Sequence, residues 1–104
     1  MSDYFKRIHG FIADENYEKA LYELDMGVNS YFRNGRTYEA ALCYQLYGQY
    51  FAVQSQYTDA VPWFEKALAT DKMPRIGMQE VRFQIAQTYF MIGKYKNVIY
   101  LLEE

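Results

Sequence analysis

The residues able to do chemistry are few in this chain of 104 residues, and they do not converge. His9 is the only histidine and Cys43 the only cysteine. One imidazole cannot make a histidine-based metal site without carboxylate help, and no such spacing is evident. One cysteine excludes an internal disulfide framework and a Cys-cluster zinc site. Beside Tyr44, on a stretch of apolar helical character, Cys43 reads as a small buried hydrophobe rather than a nucleophile. There is no Ser-His-Asp set, no Gly-rich phosphate loop and no carboxylate pair in a pocket-like context. Asp14, Glu15 and Glu18 cluster at a turn and helix start, where acids favour the helix dipole. What remains is amides. Gln45 and Gln49 stand one turn apart as the polar interruptions of the nearly apolar stretch 40–53. A glutamine both donates and accepts, so it can pair with the backbone of an extended peptide whatever the side chains. These residues point away from catalysis and toward recognition, with no cofactor or metal expected.

The elements that would position them follow from composition and spacing. A 12.4 kDa chain has room for one domain, and 51% hydrophobic with 19% aromatic residues gives it material for a core. The formal charge of −2 is spread as 5 basic and 7 acidic residues in the first half and 6 and 6 in the second, which argues against a nucleic-acid partner. No run approaches a membrane span, so direct membrane insertion is not expected. Met1-Ser2-Asp3 is acidic and polar, so no signal peptide is expected in this stretch. The expected compartment is cytoplasmic, or periplasmic for a trimmed secreted chain.

Twelve tyrosines against 2 prolines and 6 glycines prompt a search for repeats. Tyr17, Ala20 and Leu24 recur as Tyr57, Ala60 and Phe64 and again as Tyr95, Val98 and Leu102, at separations of 40 and 38 residues. Each copy follows another segment of helical period, so the unit is helix, turn, helix. Six helices are expected, over about 3–13, 16–33, 37–53, 57–71, 75–91 and 95–103. Asp14-Glu15-Asn16, Gln54-Ser55-Gln56 and Gly93-Lys94 are the intra-unit turns. Asn34-Gly35 ends the second helix, Thr37 is placed to cap the third, and Pro74 suits the first turn of the fifth. Pro62 sits awkwardly; its helix must start late, near Asp59, or bend at its start.

With Tyr44, Tyr47, Gly48, Phe51, Tyr57, Ala60, Phe64, Ala67 and Pro74 in order, the chain resembles the tetratricopeptide repeat (TPR) family. The first unit matches through Tyr4, Phe11, Tyr17 and Ala20, departing at Ile8 and Gly27. The third matches through Ala86, Tyr89, Gly93 and Tyr95, departing at Arg82. The resemblance implies an all-α, right-handed helical-hairpin solenoid of three units, about 1–36, 37–74 and 75–104, forming a single domain. More narrowly, the segment from Tyr57 to Glu104 looks like the terminal repeats of bacterial TPR proteins that accompany TonB systems. Those work in the periplasm, and the chain would then be a fragment of such a protein.

In that architecture the first helix of each unit lines a concave groove. The expected groove residues are Phe5, His9, Gln45, Gln49, Phe83, Gln84, Gln87 and Phe90, with the Gln45–Gln49 stripe facing the open side. Trp63 is expected in outer-helix packing. The best-known groove of this family grips a C-terminal carboxylate with Lys, Arg and Asn; here the corresponding places hold Phe5, His9, Gln45, Gln49 and Gln84, which argues against it. The implied function is non-enzymatic binding of a protein or extended peptide. The alternative is a structural role in which an uncapped C-terminal edge, with Ile99, Leu101 and Leu102, pairs with a second copy or with further repeats.

Overall fold

Apolar residues at steps of three and four set each helix against the next. A computed structural model describes residues 3–93. They form α1 (Asp3–Ala13), α2 (Tyr17–Arg33), α3 (Thr37–Ala52), α4 (Tyr57–Ala69) and α5 (Arg75–Ile92), with no strand among the described residues. The described part of the molecule is all-α. Helix α1 buries Phe5, Ile8 and Ile12; α2 buries Ala20, Leu24 and Gly27; α4 buries Ala60, Val61, Phe64 and Ala67. These are the narrow stripes of helices with one face in water. Helix α3 differs: Ala40, Ala41, Cys43, Gln45, Leu46, Tyr47 and Gly48 are all buried, so it is enclosed on most sides. The sixth helix expected over 95–103, with Ile99, Leu101 and Leu102, lies outside the described residues.

Three turns of one design join the first four helices. After α2, Gly35 is left-handed at φ 69°, its N–H reaches the Phe32 carbonyl at 3.1 Å, and the Arg36 N–H reaches Tyr31 at 2.8 Å. This is the Schellman closure, which satisfies carbonyls left over at a helix end. The same pair of bonds recurs around Glu15 (φ 59°) and Ser55 (φ 63°), so the design repeats every 20 residues. The turns expected at 14–16, 34–35 and 54–56 are present, and the one expected at Gly93-Lys94 runs outside the described residues. Thr37, however, does not cap: it is the first residue of α3, and Arg36 precedes it with no side-chain cap bond. The closure already fixes the Arg36 backbone and moves the boundary back by one residue. Pro74 likewise stands just before α5, its carbonyl accepting the Met78 N–H at 3.0 Å.

Helix α4 does not start late. It runs from Tyr57 with Pro62 inside it. Both Pro62 and Thr58, whose carbonyl the missing N–H would have met, are exposed, so water can take the freed carbonyl. The helix stops at Ala69, two residues short of expectation. The Thr70 hydroxyl donates to the Ala67 carbonyl at 2.8 Å, and Asp71 turns left-handed at φ 54°.

Helix α2 packs on α1 and α3, and α4 packs on α3 and α5. The core accordingly has two clusters, one centred on Ile8, Leu24, Leu46 and Tyr47, the other on Ala60, Phe64, Val81 and Ile85, and α3 supplies residues to both. Small residues set the approach. A Cβ at Gly48 would stand 2.4 Å from Cε1 of Phe64. Gly27, which breaks the repeat pattern, makes room for Tyr4, whose hydroxyl oxygen would be 1.7 Å from a Cβ there. That hydroxyl donates to the Glu23 carbonyl. Trp63 packs from α4 onto α3, stacking on Tyr47 at 4.2 Å between centroids.

Candidate functional site

Helices α1, α3 and α5 face one another across a groove made of two cavities. The first, about 420 Å³, is lined by His9, Ile12 and Ala13 of α1, Gln49 and Ala52 of α3, Val53 just beyond it, and Gln84, Gln87, Thr88 and Met91 of α5. Tyr57 and Phe64 reach it from α4. The second, about 410 Å³, is lined by Phe5 and His9, by Tyr38, Leu42, Gln45, Leu46 and Gln49, and by Met73, Pro74, Ile76, Gly77 and Glu80. His9 and Gln49 line both, so the two cavities adjoin at these side chains.

One hydrogen bond spans the groove. Gln45 Nε2 donates to Gln84 Oε1 at 2.8 Å, joining α3 to α5. The expectation that Gln45 faces the open side is corrected by this pairing, since Gln45 is only 7% exposed. An amide can be buried at little cost when a partner meets it, and Gln84 is that partner. No side-chain nitrogen or oxygen among the described residues is buried without a partner, so Gln45 Oε1 and Gln84 Nε2 keep contact with solvent. Gln49 is half-buried and Gln87 exposed, and both retain free amide groups toward the first cavity.

Six of the eight residues expected in a groove therefore line the cavities: Phe5, His9, Gln45, Gln49, Gln84 and Gln87. Phe5 is at once a core residue, 4% exposed and packed against Tyr4 and Tyr31. Phe83 and Phe90 line neither cavity; they are 55% and 57% exposed. Placing α5 with Gln84 toward α3 turns residues one position before it and six after it off the groove wall. Tyr38, Leu42, Met73 and Ile76 were missed. For the first two a signal was present, since 38, 42, 45 and 49 form one helical row with the glutamines. Met73 and Ile76 come from the interhelical link and the start of α5, where spacing carries no such signal.

Charge is nearly absent from the lining. Neither cavity is lined by a lysine or arginine, and Glu80 is the one carboxylate. Behind the groove Cys43, Tyr4 and Tyr47 hold their protons more tightly than the free groups do. Burial pushes the Cys43 thiol up to about 12, so it is no thiolate at neutral pH. Burial likewise raises the Tyr4 and Tyr47 phenols, and for Tyr47 its hydrogen bond to Asp25 adds to the effect. Among the described residues no group of three or more His, Cys, Asp or Glu is placed to hold a metal ion, and no helix is long and apolar enough to cross a membrane.

No family model matches the chain, no curated protein matches it, and no solved structure matches it.

Proposed function

We propose that this chain is a non-enzymatic binding module that holds an extended segment of a partner protein in the groove between α1, α3 and α5, and that its helices are three TPR-like units of a right-handed solenoid. The observation that carries this reading is the pair of adjoining cavities lined by apolar side chains and free amides. Apolar pockets seat anchor side chains, and amides at their junction suit the main chain between anchors. The three closures of one design at 20-residue intervals support the repeat reading, because a repeated turn stacks successive helices in a repeated way.

The test is a display selection of random peptides on the parent protein, repeated on a Gln49→Arg/Gln87→Arg variant of unchanged helical content and melting temperature. Peptides enriched on the parent and lost on the variant are the expected result, since Gln49 lines both cavities and Gln87 lines the first. Enrichment that survives both substitutions places the working surface elsewhere on the molecule.

A further inference from the structure

The two cavities are chemically unequal, and the difference specifies a ligand. The first is lined by the apolar side chains of Ile12, Ala52, Phe64 and Met91, and no carboxylate, lysine or arginine lines it. The second is also largely apolar, through Leu42, Met73 and Ile76, but it carries Glu80 and the ring of Tyr38. Glu80 is exposed, and Tyr38 is 41% exposed. Glu80 makes no ion pair with another described residue. A carboxylate and an aromatic ring lining one cavity with apolar side chains are the surroundings that suit a lysine or arginine side chain, whose stem is apolar and whose head is cationic. An acidic group would meet Glu80 with no lysine or arginine in the lining to offset the repulsion.

We propose, resting on the groove reading above, that the partner segment carries a basic residue for the Glu80 cavity and a large apolar residue for the other. The main chain between them lies across Gln49 and the exposed amide atoms of Gln45 and Gln84. Along α3 the cavities are centred about seven residues apart, or about 10 Å at the helical rise. An extended chain covers that in about three residues. The specified motif is therefore a basic and an apolar residue separated by two to four positions, without an acid between them.

The test uses acetylated, amidated nonapeptides in a Gly/Ser background, with Arg and Leu at separations of two, three and four, titrated calorimetrically against the whole protein. At the best spacing, replacing Arg by Glu is expected to weaken binding by about tenfold or more, as is replacing Leu by Ser. Glu80→Lys should reverse the Arg-over-Glu preference, and Glu80→Gln should abolish it; the side chain is exposed, and circular dichroism checks that both variants fold. Binding that is indifferent to the sign of the peptide charge, or to Glu80, overturns this inference while leaving the groove reading intact. So does a display selection whose Gln49- and Gln87-sensitive peptides lack a basic residue. If no peptide from either source binds, both readings fall.

Discussion

At the scale of single residues, whether a glycine can accept a methyl group is decided by what stands opposite it. Gly10 lies inside α1 with nothing within 4 Å of a built Cβ, whereas at Gly48 three ring atoms of Phe64 stand at 2.4, 2.5 and 2.7 Å. Both are helical, so each gains about 1 kcal/mol of helix propensity on becoming alanine. At Gly10 nothing opposes the gain, and Gly10→Ala should raise stability by about 0.5–1 kcal/mol in urea unfolding. At Gly48 the methyl must displace a ring that is only 2% exposed. Overpacking of that kind costs about 1–3 kcal/mol, so Gly48→Ala should be destabilising on balance. Equal effects at the two sites would show that α3 and α4 do not approach as closely as the geometry has them. The same closeness explains why Gly48 is readable from sequence as a contact point, while Gly27 reads only as a departure from the repeat. Its partner Tyr4 lies on another helix, and a spacing rule within α2 has no access to it.

At the scale of elements, three residues work against the helices and turns they occupy. Ser55 and Glu15 hold left-handed backbone where Gly35 holds the equivalent place, and a side chain there costs about 1–2 kcal/mol. Pro62 removes a backbone bond inside α4 and crowds the preceding turn. Because Pro62 and Thr58 are both exposed, an alanine at 62 has room and restores the N–H to the Thr58 carbonyl. Pro62→Ala should therefore stabilise the protein by about 1–3 kcal/mol, read as a higher urea midpoint at unchanged slope. A neutral outcome would mean that the helix is already distorted enough around Pro62 to have lost that bond in any case. The polar stretches at 14–16 and 54–56 and the glycine at 35 placed these turns correctly, because closures at 15, 35 and 55 are local. Of the two outcomes that Pro62 allows, the late start is not taken, because packing of Ala60, Val61 and Phe64 against α3 and α5 is enough to hold the first turn of α4 despite the proline.

At the scale of the whole molecule, the five helices were legible because α1, α2, α4 and α5 carry apolar residues at helical spacing and α3 is a long, nearly apolar run. Part of the cavity lining followed from which helices face one another. The Gln45–Gln84 bond was not legible, since it joins residues 39 positions apart and exists only once α3 and α5 are in place. Nor was the outward position of Phe83, a matter of one step around α5. Enclosure of α3 has a further consequence, for stability against pH. Cys43 and Tyr47 on that helix, and Tyr4 packed against the cluster they belong to, are acids whose protons leave less readily in the folded chain than in the unfolded one. Between the two sets of values the folded protein binds more protons, so its stability falls as pH rises. For Cys43 the stabilisation is whole below its ordinary value of 9.0 and is lost as pH rises toward about 12. The tyrosines add a second decline from above their ordinary value of 10.0. Melting temperatures should hold level from about pH 7 to the onset of thiol ionisation and then fall steeply. Cys43→Ala removes the earlier part of that fall and leaves the later part, so the two curves should differ in slope mainly between the thiol and phenol onsets, whatever the cavity left by the substitution does to their absolute height. Parallel curves would show that the thiol titrates alike in folded and unfolded chains, which is incompatible with α3 at the centre of the core.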